Sequence, residues 1–495
     1  MNIPKFLTRA AMDGHGLLGL LFGGVIFMLC LSGSIVVMVD QLSVWERPDA
    51  PTVHRVSRDD AGRIALSVLA TARAEHLDHD VFINFPTDEL PRMTAIGTDG
   101  KGGHRDWNID AAGKLVPYAE VPWVEFLQLL HFNLTVPGAI GRYLVGIFGT
   151  LLLASIVTGL FAHRRILKDA FRLRLGGSGR LSNADFHNRI GVWALPFHLI
   201  VALTGSLLGL AGLITALLAL AAYRGDQEKA LASLLGPQAV DSKLSAPLPD
   251  MPAILRGIDK AAPGAEITQL SFEHPGTEGQ HVRALIAAPY HLARNEGLLF
   301  DAQGRLKWTA GFTDGNAGAR IFGMITPLHY GTYGGVALKI IYLLLGSGLT
   351  LIVATGGNIW VARRREQGRP VPRLERMWAA TIWGQPLIVV LIAIGLLWTP
   401  LPATAVYWAL TALLWVAALA LPDGVTTRRV LRWALGIALL LLAILHGLRW
   451  ASADPVAVII DIALALGGAV LLAKTAPPFP VTPSFAFPIR RRSRA

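Results

Sequence analysis

The chain has 495 residues, of which 53% are hydrophobic and only 16% are charged, and its mean hydropathy is +0.47. Soluble globular proteins carry about 25% charged residues, so this composition excludes an ordinary soluble protein and indicates an α-helical protein with several membrane spans. The net charge of +11 does not indicate nucleic-acid binding, because the basic residues fall in alternate loops between apolar runs. A single cysteine, Cys30, excludes an intramolecular disulfide, a cysteine-based zinc site and an iron–sulfur cluster.

Eight apolar runs are long enough to cross a bilayer. They lie at roughly 15–39, 143–162, 190–222, 336–361, 378–398, 403–421, 433–448 and 456–473. The third run is longer than one span needs, so we expect it to tilt or to project from the membrane.

The basic residues predict the orientation of these spans. They cluster before the first run, between the second and third, after the fourth, before the seventh and at the end of the chain. In that order the clusters are Lys5 and Arg9; Arg164, Arg165, Lys168, Arg172, Arg174 and Arg180; Arg363, Arg364 and Arg365; Arg428, Arg429 and Arg432; and Arg490, Arg491, Arg492 and Arg494. Lys and Arg are enriched in cytoplasmic loops, so both termini are predicted to be cytoplasmic. The two long loops, 41–126 and 224–328, then face the opposite side.

The two long loops repeat the same pattern. Residues 57–75 are predicted to form an amphipathic helix, followed by the strand-like segments DVFINF, PRMTAIGT and RDWNID. In the second loop the helix MPAILRGIDKAA precedes EITQLSF, HVRALIAA and EGLLFD. The last strands end in Asp110-Ala-Ala-Gly113 and Asp301-Ala-Gln-Gly304, which are typical of tight hairpin turns. Each loop is therefore predicted to hold a small module of one helix and an antiparallel sheet.

These patterns predict seven segments. In chain order they are the first span (1–40), the first module (41–126), two spans with a cytoplasmic loop (127–223), the second module (224–328), the fourth span with a cytoplasmic loop (329–375), an added bundle of four spans (376–474) and a basic cytoplasmic tail (475–495).

Histidine and glycine recur at matching positions in the two halves of the chain. Gly33 follows His15 by 18 residues, and Gly205 follows His187 by the same interval. His131 and His329 each lead into an apolar segment that ends in Thr-Gly, at Thr158-Gly159 and Thr355-Gly356. Eighteen residues make five helical turns, so the histidine and glycine share one face, and small residues mark close helix contacts in membranes.

A helix that opens on histidine, an outward module that ends in Asp-Ala-x-Gly-x-Leu, and a returning helix that ends in Thr-Gly all occur twice. This arrangement, over about residues 10–365, resembles the PepSY-associated transmembrane proteins. The resemblance implies a bacterial inner-membrane protein, often iron-regulated, with periplasmic modules; some members are ferric-siderophore reductases that carry haem b. The last four apolar runs have no counterpart in the minimal members.

The histidines are candidate haem ligands, because neutral imidazole binds iron and histidines on facing helices can hold a haem from both sides. A pseudo-twofold axis would pair His15 with His187 and His131 with His329, which predicts two haems. His198, 11 residues after His187, is predicted to share its face about three turns away, and is an alternative partner in the second pair. Arg142 and Lys339 are candidates to bind haem propionates, although interfacial snorkelling explains either side chain equally well.

The favoured hypothesis is a transmembrane electron-transfer protein that reduces a periplasmic ferric substrate, a ferric siderophore. No Walker A loop or dinucleotide-binding fingerprint occurs, so membrane quinol or a cytoplasmic reductase would supply the electrons. The alternative is a non-redox protein whose modules bind peptides or partner proteins in a regulatory role. A transporter of iron chelates is the third hypothesis, and it lacks support because no broken helix with buried acidic residues is expected. The bundle at 376–474 is expected to pack or dock, with His446 structural and Asp461 near the interface.

Overall fold

The computed structural model describes residues 4–162, 179–451 and 454–474. The basic loop at 164–174 and the basic tail at 475–495, on which part of the predicted orientation depends, lie outside the described residues. The described chain divides into two compact units, residues 4–363 with 454–457 and residues 364–451 with 458–474.

The first unit contains a helical bundle and a β-sheet. Its elements in chain order are α1 Lys5–Val36, α2 Val39–Glu46, α3 Arg58–Ala74, β1 Asp80–Asn84, β2 Met93–Thr98, β3 His104–Ile109, β4 Leu115–Pro117, α4 Pro122–Asn133, α5 Gly138–Ala162, α6 Gly179–Trp193, α7 Leu195–Gly209, α8 Ala211–Ala222, α9 Gln227–Leu235, α10 Met251–Ala261, β5 Ile267–Glu273, β6 His281–Ala287, β7 Asn295–Phe300, β8 Leu306–Thr309, α11 Ala317–Tyr330 and α12 Gly335–Glu366. The second unit is built from α13 Pro372–Leu396, α14 Ala403–Ala420, α15 Gly424–Trp450 and α16 Pro455–Ala473.

Within the described residues, seven helices are long and apolar enough to cross a membrane: α1, α5, α12, α13, α14, α15 and α16. The prediction of a polytopic helical membrane protein with two α+β modules is confirmed.

The third predicted span is not a single helix. α6 and α7 are bent by 73° at the break between them, and α8 follows as a separate short apolar helix. Pro196, in the first turn of α7, has no N–H to donate, and its ring would clash with the carbonyl of Val192 in a continuous helix. The expectation that no broken helix carries a buried acidic residue was also wrong, because Asp185 of α6 is buried beside Arg189.

The two modules form one sheet. Its strand order is β4-β3-β2-β1-β5-β6-β7-β8, with every neighbouring pair antiparallel. The β1–β5 pairing joins the modules, and α3 and α10 pack together over a hydrophobic core that both modules share. The predicted turns are present, since Gly113 and Gly304 have φ values of +76° and +74° that glycine adopts without steric cost. The sequence predicted the elements of each module but not their union.

Buried and partly buried polar contacts join the described helices of the second unit. Gln385 accepts a hydrogen bond from the Tyr407 hydroxyl at 2.5 Å and donates to Thr411 at 3.3 Å. His446 Nδ1 lies 2.9 Å from Asp461 Oδ2, so the carboxylate that the sequence placed near the interface is paired with the histidine expected to be structural. Satisfied polar groups of this kind fix the register of packed membrane helices.

Candidate functional site

The four duplicated histidines lie at the two ends of the bundle of the first unit. His15 is on α1 and His187 on α6, whereas His131 and His329 are in the last turns of α4 and α11. The sequence placed the last two at the starts of spanning helices, but each is on a separate helix that ends before the span begins.

The structure brings these histidines together in two pairs. The rings of His131 and His329 have centroids 6.1 Å apart and nearly parallel planes, at 15°. The rings of His15 and His187 are also 6.1 Å apart, with planes at 81°. We call His131 and His329 the sheet-side pair, and His15 and His187 the far pair.

His15 packs against α5. Its Nδ1 donates to the carbonyl of Ser155 at 2.8 Å. A Cβ built on Gly159 would lie 3.1 Å from the ring, so glycine lets the imidazole approach the helix backbone.

His187 packs against α12 in the same way. Its Nδ1 donates to the carbonyl of Ile352 at 2.9 Å and lies 3.3 Å from the Thr355 hydroxyl. The Cβ position of Gly356 is 3.4 Å from the ring, a looser fit than at Gly159.

His131 packs against α1. Its Nδ1 donates to the carbonyl of Leu29 at 3.1 Å, with the Ser32 hydroxyl at 3.4 Å. A Cβ on Gly33 would lie only 2.5 Å from the imidazole, so this position does not accept a larger side chain without movement of the ring.

His329 packs against α7. Its Nδ1 lies 3.1 Å from the Thr204 hydroxyl, which itself donates to the carbonyl of Ile200 and therefore accepts from the imidazole. The ring also hydrogen-bonds the backbone of Val201. A Cβ on Gly205 would be 2.7 Å from the ring.

All four sites share one rule: each histidine bonds a backbone carbonyl four residues before the glycine on which it packs. A carbonyl can only accept, so the proton is on Nδ1 and the lone pair is on Nε2. A hydrogen bond from the second nitrogen to a backbone carbonyl is the usual way in which a metal-binding histidine is oriented.

The centroid separation of each pair equals that of two imidazoles bound on opposite sides of one metal. A metal–imidazole bond is about 2 Å long and the bonded nitrogen lies about 1 Å from its ring centre, so two opposed imidazoles on one metal have ring centres about 6 Å apart. Both observed separations, 6.1 Å, match this value.

A cavity of about 680 Å³ adjoins the sheet-side pair and lies between α1, α5, α7 and α12. This volume is typical of sites for cofactors and small molecules. Its walls are mainly apolar, and its polar lining includes both histidines, Asp40, Arg142 and Lys339.

The two basic residues of this cavity differ in their partners. The ammonium of Lys339, 1% exposed, forms ion pairs with Asp40 and Glu89. This pairing argues against Lys339 as a propionate partner, because two carboxylates already offset its charge. Arg142 is exposed, and no carboxylate pairs with it among the described residues. Of the two predicted propionate partners, Arg142 is therefore the one whose charge no described carboxylate offsets.

Two buried glutamates position the short helices of the sheet-side pair. Glu46, the last residue of α2, accepts from the backbone N–H groups of Trp123 and Val124 at 2.8 and 2.9 Å, at the start of α4. Burial raises the pKa of Glu46 to about 7, against the opposing effect of these two N–H donors. Glu296 accepts from the backbone of Gly311 and Thr313, in the loop before α11.

His198 is buried but lies outside the lining of the cavity. It hydrogen-bonds the backbone of Leu345, and its Nε2 has no hydrogen-bond partner among the described residues. The bend before α7 interrupts the helix between His187 and His198, so the predicted shared face does not hold.

Comparison with known proteins gives the same family as the duplicated motifs. The family model described as the PepSY-associated TM region matches residues 12–363. The chain belongs to the PepSY-associated transmembrane family. It is also 31% identical over 373 residues to an uncharacterized protein of Pseudomonas aeruginosa, a match that covers 71% of this chain and 94% of that protein.

The PepSY-associated region ends three residues before the end of α12, so it contains both histidine pairs, the cavity and the whole sheet. The added helices α13–α16 lie beyond it.

The sequence patterns did not predict the acidic side chains around the site of this PepSY-associated protein, Glu46, Glu89 and Glu296. A signal was available for the first, since Glu46 follows a predicted membrane span and a carboxylate there is costly unless it has partners. No local pattern pointed to Glu89, which reaches Lys339 only through the fold.

Proposed function

We propose that this PepSY-associated protein is a transmembrane electron-transfer protein that holds two b-type haems and reduces a ferric siderophore on the sheet side of the membrane. The observation that carries the proposal is the repeated geometry of the two histidine pairs, with ring separations of 6.1 Å and every Nδ1 engaged. One haem would be held by His15 and His187 and the other by His131 and His329.

A bound haem supplies one-electron exchange between Fe(III) and Fe(II). The residues of this chain would bind the haem and orient the imidazoles that hold it. The carbonyl partners keep each imidazole in the tautomer that exposes the Nε2 lone pair, and the mainly apolar walls of the cavity beside the sheet-side pair suit a macrocycle. Arg142 provides a positive charge at the cavity that can bind a carboxylate.

The spacing of the pairs supports transfer across a bilayer. Gly33, beside the sheet-side pair, lies 18 residues beyond His15 on the single helix α1. At a rise of 1.5 Å per residue the two levels are about 27 Å apart, close to the hydrocarbon thickness of about 30 Å. The pairs are therefore near opposite faces of the membrane.

The sheet side is assigned to the periplasm of a bacterial inner membrane from the distribution of basic residues. A ferric siderophore would dock against the sheet and accept one electron per iron, drawn from membrane quinol or a cytoplasmic reductase. Reduction to Fe(II) weakens binding by hard oxygen ligands and so favours release of the iron.

The test is absorbance spectroscopy of the detergent-purified protein, made with full haem supply. We expect a Soret band, sharp α and β bands after reduction with dithionite, and oxidation of the reduced protein by a ferric siderophore. A colourless preparation would overturn the proposal and favour the non-redox hypothesis, in which the modules bind peptides or partner proteins. A haem spectrum with no oxidation by ferric siderophores would support haem binding and rule out ferric siderophores as the substrate.

A further inference from the structure

A second group of metal-ligand side chains lies outside the membrane helices, where the two modules join. His79 immediately precedes β1, Asp80 is the first residue of that strand, and His274 immediately follows β5. Asp80 pairs with Glu273 in the β1–β5 ladder, and one step further the backbone N–H of His274 donates to the carbonyl of His79 at 2.9 Å. The pairing that unites the modules therefore sets these side chains beside each other.

The three side chains converge. The rings of His79 and His274 have centroids 4.4 Å apart and are perpendicular, and His79 Nδ1 lies 2.8 Å from Asp80 Oδ2. One ligand atom from each residue lies within 4.8 Å of the other two. All three residues are partly exposed, so ions in solution can reach them.

The backbone holds the two rings in place. His274 has a φ of +50°, in the left-handed region where histidine is more common than most residues. Gly100 packs on the other ring, since a Cβ there would lie 2.5 Å from His79 Cδ2.

Two imidazoles and one carboxylate are a ligand set for divalent transition metals such as Zn²⁺, Co²⁺ and Fe²⁺. Ligand bonds of about 2 Å place donor atoms roughly 3 Å apart around a shared ion. Side-chain rotations that move the donor atoms by about 1 to 2 Å therefore complete the site. Three protein ligands leave at least one coordination position for water or an exchanging ligand.

We propose that His79, Asp80 and His274 form a site for a divalent transition-metal ion, which bridges β1 of the first module to the end of β5 in the second. The site is separate from the histidine pairs in the membrane and does not depend on their occupancy. Because the ion binds the joined modules and not the unfolded chain, it stabilises the sheet.

The test uses full-length, detergent-purified protein that has been stripped with a chelator and titrated with Co²⁺. We expect visible absorption bands from one Co²⁺ per chain at this site, displaced by Zn²⁺, and a Zn²⁺-dependent rise in melting temperature. His79→Gln and His274→Asn are each expected to weaken binding at least tenfold and to abolish the rise. Asparagine is chosen at position 274 because it tolerates a left-handed φ. Asp80→Asn, which keeps the shape of the side chain, should also weaken binding.

The matched control is His291→Asn, at an exposed histidine in the loop between β6 and β7, which should bind as the wild type does. Equal Co²⁺ affinity in the wild type, His79→Gln and His274→Asn would overturn the proposal, as would absence of binding below millimolar Co²⁺. Haem content is measured on the same samples and should be the same in all of them, so failure here is distinguishable from failure of the haem proposal.

Discussion

At the scale of residues, the site depends on what each histidine touches. Four glycines allow four rings to reach a helix backbone, and the space they leave is graded: an added Cβ would lie 2.5 Å from the ring at Gly33, 2.7 Å at Gly205, 3.1 Å at Gly159 and 3.4 Å at Gly356. Contacts under about 3 Å require something to move, whereas 3.4 Å is close to an ordinary packing distance. The displacement of the ring by an added methyl group should therefore be largest at Gly33 and smallest at Gly356.

We therefore expect Gly33→Ala to displace His131 and to lower the haem content from two per chain towards one, while Gly356→Ala retains two. The matched control is Gly24→Ala on the same helix, where nothing lies within 4 Å of the new Cβ. Alanine raises helix propensity by about 1 kcal/mol over glycine, so a loss at Gly33 cannot come from a weaker helix. Haem quantified by pyridine haemochrome spectra checks this, and equal content in Gly33→Ala and Gly24→Ala would contradict it.

The sequence predicted the histidines and glycines because both recur in the duplicated halves. It did not predict which glycine each histidine meets. His15 and Gly33 share a helix, yet Gly33 receives His131 and His15 packs on Gly159. Those contacts join residues more than 90 positions apart, and helix periodicity carries no information on them.

At the scale of elements, the sheet-side pair lies on α4 and α11. Buried carboxylates fix the start of α4 and the loop before α11. Glu46 holds the first N–H groups of α4, where the positive end of the helix dipole also favours a negative charge. The same carboxylate is desolvated by burial. Desolvation outweighs the backbone hydrogen bonds, since the pKa of Glu46 is raised from 4.5 to about 7.

The raised pKa gives a prediction for pH. A carboxyl group whose pKa is higher in the folded than in the unfolded state stabilises the fold while it is protonated. This contribution is complete at pH values below the pKa in the unfolded chain and is lost as pH rises through about 7. Between pH 5 and pH 8 the wild type should therefore lose on the order of 2 kcal/mol that Glu46→Gln, which stays neutral, does not lose. Thermal melts in detergent at both pH values measure the difference. Glu228→Gln, at an exposed site on α9, should follow the wild type; a Glu46→Gln variant that also follows it would contradict the prediction.

The third apolar run has the length of a single long span, and that length predicts one helix. Pro196 within it is the sequence signal for the break that the structure shows. Similarly, the sequence pattern assigns His131 and His329 to the spans that follow them. Gly138, the first residue of α5, and Gly331, directly after α11, both have a positive φ and mark the breaks between the short helices and those spans. Turn-forming residues close to apolar runs are the signals that would have given the right boundaries.

At the scale of the whole molecule, the family match and both histidine pairs end before α13, which makes the added helices separable in principle. We expect a chain that ends at Pro372 to insert in the membrane and to retain both haems. Haem content per chain, measured after membrane extraction, tests this against the full-length protein. Loss of haem from a truncated chain that is inserted and soluble in detergent would place the second unit in the redox core.

The union of the two modules was not predictable from local sequence. Each module shows its helix and strands through amphipathic periodicity, and these were identified. The β1–β5 pairing that joins them connects residues far apart in the chain, from Asp80 to Glu273 and from Asn84 to Gln269. Local periodicity carries no information on pairing between residues so far apart.

The central claim is that each histidine pair holds one haem, and the most direct measurement is haem per chain across a set of single variants. We expect two haems in the wild type, one in His131→Ala and in His329→Ala, and one in His15→Ala and in His187→Ala. His198→Ala is the control with a buried histidine outside both pairs, and should retain two. If His131→Ala and His329→Ala both keep two haems while His198→Ala loses one, the sheet-side pair is not a haem site and α7 carries the ligand instead.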